Sequence, residues 1–315
     1  IIQSHILTRL DGRSLVSTGC ASSRLQSLCS EEKLWSDICS SSWPSTEDPL
    51  VSQAILNFKS GYRSLFSDLF ASSLDRLSIA ESLPPTGNII SAVDLRYCDQ
   101  MVFSKVELTN TMPSDWFLSC PFRIDLLEHK ELVQSELEVS GDDQTIQSNL
   151  EKQMTLSWIM IDPTQNRAVN LSSQKPVSVH RNWLTDEIEL TFAMVTAVDP
   201  HLHNNDHVSC NIEVTCGVKE DSMELYVSGL SLTIQDIDGK CLNGKDSMVI
   251  LQGLIAAERR WRNDGGKWRK EKYDEYIHRR KERKEMMEMR ERRLDLVRVG
   301  CGVAFLMAFW SFALF

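Results

Sequence analysis

The residues most able to bind a metal are the histidines of segment 201–207, His-Leu-His-Asn-Asn-Asp-His. Three imidazoles within seven residues could close on a zinc ion in a loop. However, the proline before the segment and the asparagine pair inside it are typical of a turn between strands, where exposed histidines are common. A metal-dependent enzyme built on His201, His203 and His207 is therefore the least favoured interpretation, and we expect no metal and no cofactor.

The nine cysteines show no spacing typical of a zinc site or a disulfide framework, because none lies in a CxxC pair. Cys210 and Cys216 point to one face of a predicted strand. They lie about 20 Å apart along it, at about 3.3 Å per residue, so they cannot share a metal ion. We therefore expect free thiols, a reducing compartment, and a buried position for these two side chains.

The common catalytic motifs GxGxxG, GxxxxGK[ST], HExxH and GxSxG are absent from the sequence. The net charge of −10 argues against free binding to nucleic acid, whose affinity depends largely on neutralised phosphates. We therefore expect a protein without catalytic residues that does not bind nucleic acid.

The first 82 residues predict short helices. Asp11 is placed to cap a helix from Arg13 to about Cys20, and Ser30 to cap another over 31–40. Asp48-Pro49 is typical of a helix start, and that helix is predicted to run through Phe58. The Pro- and Gly-containing stretch 83–88 predicts a domain boundary.

Residues 89–262 predict an antiparallel β domain with a closing helix. Five runs alternate with period two, namely 102–108, 154–161, 188–198, 208–218 and 223–234. A turn at 162–166 predicts a hairpin, the acidic stretch 135–149 predicts a long surface loop, and a helix after Asn243 should pack back on the sheet. The fold class is therefore α+β, with an N-terminal helical module and a β-sandwich-like domain.

The C-terminal part changes character twice. Residues 258–298 hold 16 Lys/Arg against 10 Asp/Glu, and their i,i+4 ion pairs predict a solvated single helix over 267–298. This helix could be a spacer, a patch for anionic lipid, or a nuclear-import or nucleic-acid patch, with 279–284 dense enough for an import motif. Residues 299–315 carry no charge, and a helix over them would span about 25 Å.

The apolar side chains of this last segment surround the predicted helix on all sides, which favours a transmembrane tail over a buried core helix. With the basic block before it, the tail would hold the chain on the cytosolic face of a membrane; a location in cytoplasm or nucleus is the alternative. The predicted tail residues include Val299, Phe305, Leu306, Phe309, Trp310 and Phe315.

The N-terminal helices resemble an F-box. The resemblance rests on Ile-Leu-Thr-Arg-Leu-Asp-Gly-Arg-Ser-Leu at 6–15, the short helix of residues 20–28, Glu-Lys-Leu-Trp at 32–35, and Ile38-Cys39. The sequel Ser-Trp-Pro-Ser at 42–45 is similar to that of plant F-box proteins with a C-terminal β-rich region. The usual Leu-Pro opening either precedes Ile1 or is missing, and since the chain does not begin with Met we expect its N-terminus to be trimmed.

The resemblance implies a module, residues 1–45, that packs on a Skp-type adaptor, which links it to a cullin and a RING subunit. Residues 46–82 would add further helices. By the same resemblance Trp35 anchors the module, with Leu34 and Ile38 packing inside. The residues implied to bind the adaptor are Ile2, Ile6, Leu7, Leu10, Leu15 and Val16, with Trp35 supporting them.

We therefore expect the substrate-recognition subunit of an SCF-type ubiquitin ligase, presenting an unknown protein target through its β domain. Trp116, Trp183 and the histidine segment are candidates for target contact because they flank predicted turns. The alternative is a lectin-like or other protein-binding module displayed on a membrane and unconnected with ubiquitin. A plain helical subdomain lying on the β domain is the simpler interpretation of the N-terminal helices.

Overall fold

The chain folds into four layers: an N-terminal helical module, a four-stranded sheet, a six-stranded sheet and a long C-terminal helix. A computed structural model describes residues 6–70, 77, 87–111, 114–127, 131–139, 141–198, 207–219, 221–257 and 267–313. The strands in these ranges pair antiparallel within each sheet. The predicted α+β class is therefore confirmed.

The helical module, residues 6–70, consists of short helices with defined starts. They are α1 Gly12–Gly19, α2 Ser23–Leu28, α3 Glu32–Ser42, a 3-10 turn Pro44–Glu47, α4 Pro49–Ile55 and α5 Gly61–Phe70. Asp11 caps α1 through the backbone N–H of Ser14, and Asp48 caps α4, as predicted. Two boundaries were wrong. Glu31 rather than Ser30 is the N-cap of α3, and α4 ends at Ile55 rather than Phe58.

Ten strands follow the module in the part of the chain that the structure describes. They are β1 Asn88–Tyr97, β2 Gln100–Asn110, β3 Arg123–Asp125, β4 Val133–Glu138, β5 Met154–Asp162, β6 Arg167–Asn170, β7 Ser178–Arg181, β8 Ile188–Ala197, β9 His207–Val218 and β10 Glu224–Asp236. The first sheet has the order β2-β1-β5-β6. The second has the order β3-β10-β9-β8-β7, with β4 also pairing to β10. Each of the five predicted strand runs matches one of these strands, although β8 ends one residue earlier and β10 begins one residue later than predicted.

The stretch 135–149 is not a surface loop, so that prediction was wrong. It contains most of β4 and the first part of helix α7 Asp143–Gln153. The helices before and after α7 in the sequence are α6 Asp115–Ser119 and α8 Gly244–Ala256. Asp142 caps α7 by accepting from the backbone N–H of Thr145, and Ile146 and Leu150 bury its inner face. Two apolar residues four apart are enough to dock a short helix, although acidic and polar residues dominate the local composition.

The first sheet is buried on both faces. In β1, Ile89, Val93 and Leu95 point into the sandwich core, which they share with the second sheet. Their neighbours Ile90 and Ala92 point the other way and pack on the helical module. Because successive side chains of a strand point to opposite faces, β1 contributes both to the sandwich core and to the core beneath the helical module.

The predicted closing helix is confirmed as α8, which packs against the first sheet and the sandwich core. Asn243 caps it by accepting from the backbone N–H of Asp246. Met248, Leu251 and Ile255 are buried, as predicted.

The C-terminal helix, α9 Lys267–Ala313, is continuous through the charged and apolar segments. Its first part differs from the predicted solvated helix because it docks on the second sheet. Tyr276 is fully buried and its hydroxyl donates to the carbonyl of Asp236 at 2.5 Å. Arg283 pairs with Asp238 at 2.8 Å, whereas every side chain over 284–311 is exposed. The body therefore holds the helix by one end, and the rest projects from it.

Candidate functional site

The residues implied to bind an adaptor divide into buried and exposed groups. Leu7, Leu15 and Trp35 are buried inside the helical module. Ile6 is 57% and Val16 46% exposed, and Leu10 is half-buried between them. Ile2 lies outside the described residues. A partner can therefore reach the exposed group directly, whereas the buried group shapes the helices that carry it.

Trp35 organises the interior of the module. Its indole N–H donates to the carbonyl of Cys29 at 2.7 Å, and its ring lies 5.2 Å from that of Phe66. Phe66 in turn stacks on Phe70 at 4.9 Å. Leu34 is buried beside Trp35, and Ile38 packs against the same cluster. A large aromatic with its polar atom satisfied fixes α3 against α5, in the anchoring position that the sequence predicts.

Gly12 lets α1 lie directly on this aromatic cluster. A Cβ atom at this position would overlap the ring of Phe66, so a larger residue would require the ring or α1 to move. Asp11 and Gly12 therefore act together, since one caps the helix and the other permits its close approach.

A groove of about 540 Å³ runs between the start of α1 and helices α3 and α5. Leu10, Ile38 and Phe70 give it an apolar floor. The guanidinium of Arg13 lies over the ring of Phe70, 4.6 Å from its centre, and Arg9, Asp11 and Asp37 also line the groove. This end of the module therefore offers an apolar surface flanked by side chains of both charges.

The module is tied to the first sheet by a buried carboxylate. Asp94, in β1, accepts from the backbone N–H of Ser45 at 3.0 Å and from its hydroxyl at 2.6 Å. The hydroxyl of Ser104 donates to the same carboxylate at 2.8 Å. Burial raises the pKa of Asp94, although these hydrogen bonds act in the opposite direction. Asp94 is not among the residues predicted from the sequence; its signal there is an acidic residue inside the mainly apolar stretch 89–95.

A second connection lies at the other side of the same interface. Arg167 lies at the start of β6, and its Nε–H donates to both carboxylate oxygens of Asp68 in α5, at 3.0 and 2.9 Å. The backbone N–H of Ala168 donates to the same carboxylate. Because the Asp68 carboxylate binds both a side chain and a backbone N–H of β6, it fixes the orientation of α5 on the sheet as well as its distance from the sheet.

The exposed apolar segment of α9 is a second candidate surface. Val299, Phe305, Leu306, Phe309 and Trp310 are all exposed, and Phe315 lies outside the described residues. The helix is long and apolar enough to cross a membrane, and none of its most apolar 18-residue window is buried in the protein. A core helix of a soluble protein would pack this surface inside the fold.

The other predicted sites give a mixed outcome. Cys210 and Cys216 are buried, as predicted, and burial raises the pKa of each thiol to about 12, so neither is reactive at neutral pH. His201 and His203 lie outside the described residues, while His207 contacts Arg279 at 3.1 Å. Among the described residues no three metal-binding side chains come together.

Relatives of the chain share nearly its whole length. F-box protein At2g27310 of Arabidopsis thaliana is 43% identical over all of this chain and 94% of its own length. F-box protein At3g44326 of the same plant is 40% identical over 99% of this chain and 89% of its own. The chain belongs to the F-box proteins. Probable F-box protein At2g36090, also from Arabidopsis thaliana, is 42% identical over 82% of this chain.

No family model matches this F-box protein. No solved structure matches it either. Its relatives extend through the β domain, so the family likeness is not confined to the N-terminal helices.

Replacing Asp94 of this F-box protein tests the tie between module and sheet. Asp94→Ala leaves the buried N–H of Ser45 without an acceptor, so we expect it to lower the free energy of unfolding by about 2–3 kcal/mol. Asp94→Asn keeps an acceptor and buries no charge, so we expect a change within about 1 kcal/mol at pH 7. Urea unfolding of residues 1–298 measures both.

The pH dependence has a definite sign. The pKa of Asp94 is higher in the folded than in the unfolded protein, so folded protein binds the proton more tightly and stability falls as pH rises above the unfolded pKa of about 3.9. The unfolding free energy of wild type minus that of Asp94→Asn should therefore decrease from pH 4 to pH 7. An increase over that range would contradict the assignment.

Proposed function

We propose that this F-box protein is the non-catalytic substrate-recognition subunit of an SCF-type ubiquitin ligase. Its helical module docks a Skp-type adaptor, which joins it to a cullin, and its β domain presents the target. The observation that carries the proposal is an F-box module that buries Trp35 in a core shared with the first sheet, yet leaves Ile6 and Val16 exposed. We infer that these two exposed apolar side chains form part of a partner surface.

The residues implied by the family likeness then take two roles. Ile6, Leu10 and Val16 contact the adaptor directly, together with Ile2. Leu7 and Leu15 are buried, so they act by holding the first helices in position, and Trp35 holds α3 beneath them. Arg9 and Arg13 line the groove beside Leu10 together with Asp11 and Asp37, so a partner there meets charges of both signs.

Ubiquitin transfer by this arrangement depends on proximity. The F-box protein supplies no reacting group; it holds a target lysine near a conjugating enzyme that the cullin brings. Asp94 and Asp68 tie the module to the first sheet, so the adaptor surface and the β domain keep a fixed separation. A fixed separation favours productive geometry over a flexible tether.

Changing the exposed apolar residues tests adaptor docking. We expect Ile6→Asp/Val16→Asp to weaken binding to a plant Skp-type adaptor at least tenfold while the protein stays folded, because both side chains point into solvent in the free chain. Size-exclusion chromatography and calorimetry of residues 1–298 with the adaptor measure this. The matched control is Leu56→Asp, an exposed leucine of the same module after α4, which should bind normally.

Two results would overturn this part of the proposal. One is adaptor binding that the double variant leaves within twofold of wild type. The other is a well-folded wild type that does not bind at all, even after Met-Leu-Pro is added before Ile1.

The apolar end of α9 is proposed to anchor the protein in a membrane, with its body in the cytosol. The segment 299–313 has the required composition, and Arg298 and the preceding basic side chains suit a cytosolic interface. Residues 284–298 would then form a helical spacer of about 22 Å between membrane and body. The charged part of α9 would therefore separate the body from the membrane and also contact lipid headgroups.

Fractionation tests the anchor. We expect the full chain to stay with membranes after extraction at alkaline pH, whereas Leu306→Arg/Phe309→Arg should be released, because two charges in the hydrocarbon core oppose insertion. Met286→Arg/Met289→Arg, on the exposed spacer, is the matched control and should remain bound. Release of the unaltered chain would contradict anchoring by this segment.

A further inference from the structure

The hairpin between β7 and β8 carries two exposed apolar side chains at its tip. Trp183 is 90% and Leu184 75% exposed. Neither belongs to the hydrophobic clusters of the fold, so the fold gains little from them. An exposed tryptophan beside a leucine is typical of the centre of a protein-binding surface, where tryptophan is enriched.

The backbone of this hairpin is nevertheless firmly held. The side chain of Asn182 accepts from the backbone N–H of Leu184 at 3.0 Å, and its backbone N–H donates to the carbonyl of Glu187 at 2.8 Å. Arg181 pairs with Asp186 across the hairpin and with Asp143 of α7, each at 2.6 Å. The tip is therefore preorganised, and a partner would pay little ordering entropy to bind it.

The surroundings of the tip are acidic. Asp143 and Asp186 share the guanidinium of Arg181. Glu187 accepts from Ser228, and Glu189 accepts from the side chain of Asn182. His180 also contacts Glu189 and balances it only when protonated. Arg181 pairs with two of these four carboxylates, so the groups around the exposed apolar pair carry a net negative charge that attracts basic groups.

The hairpin and the membrane tail lie at opposite ends of the second sheet. The tail helix leaves the body where β8 ends, since Arg279 contacts His207, which pairs with Ala197. The hairpin precedes Ile188 at the start of the same strand, and the ten residues of β8 span about 33 Å. Its position and its acidic surroundings both oppose contact with an anionic membrane surface.

We propose that the Trp183-Leu184 hairpin is the target-docking surface and that it binds a basic segment carrying an apolar side chain. The inference rests on the proposed receptor function. The indole of Trp183 packs against the apolar side chain or stacks with a guanidinium, and Leu184 covers its other edge. The carboxylates around Arg181 pair with the lysines or arginines on either side.

The test uses the full chain in nanodiscs of phosphatidylcholine and two pools of labelled nonapeptides. Each pool has Leu, Phe or Trp at its centre; one is flanked by Lys and Arg, the other by Asp and Glu. Fluorescence anisotropy should show binding of the basic pool alone, weaker at higher salt. Trp183→Ala should weaken it at least tenfold and Leu184→Ala at least threefold. Leu56→Ala changes a leucine of the helical module that is about as exposed as Leu184, 78% against 75%; it is the matched control and should bind as wild type does.

Other results would overturn the inference. These are equal binding of the acidic pool, no binding of the basic pool, or equal losses for Trp183→Ala and Leu56→Ala. Protection of Trp183 from acrylamide in phosphatidylserine nanodiscs would instead assign the tip to lipid. Adaptor binding, measured on the same preparations, separates the two proposals. Normal adaptor affinity without peptide binding refutes the hairpin proposal alone. Peptide binding without adaptor binding refutes adaptor docking alone.

Discussion

The rest of the structure depends on the burial of the first sheet between two apolar layers. The outer side of this sheet, with Ile90, Ala92, Ile159, Ile161 and Ala168, belongs to the same hydrophobic cluster as the module's aromatic core. Without the helices this face would be an exposed apolar patch large enough to aggregate. The module and the β domain are therefore one folding unit in physical terms, although the chain resembles two.

This arrangement satisfies two interpretations that the sequence presents as rivals. The N-terminal helices do lie on the β domain, as a plain helical subdomain would, and their buried Leu7, Leu15 and Trp35 belong to the same hydrophobic cluster as the outer side of the sheet. The same helices keep Ile6 and Val16 exposed, as a docking module would. One face of the module can hold the β domain while another remains available to a partner. The combination fits a receptor in which adaptor and target occupy fixed positions.

Much of the fold could be predicted because its signals are local. Period-two alternation marks β5, β8, β9 and β10, and the Asp11 and Asp48 caps need only a backbone N–H two or three residues away. The missed features depend on distant partners. Asp94 looks out of place in β1 until Ser45, 49 residues earlier, supplies its hydrogen bonds. Tyr276 lies in a highly charged segment, and the second sheet that buries it is not visible in helical periodicity.

The central claim is that the F-box module and the β domain unfold together, and exchange measurements test it directly. Residues 1–298 would be pulse-labelled with deuterium at increasing urea concentrations, and protection followed separately in α3 and α5 and in β1 and β5. We expect all four elements to lose protection at one shared urea midpoint, because they belong to the same hydrophobic cluster. Loss of protection in α3 and α5 at lower urea concentration, while β1 and β5 stay protected, would show that the module is only loosely attached. That result would contradict joint unfolding of the module and the β domain.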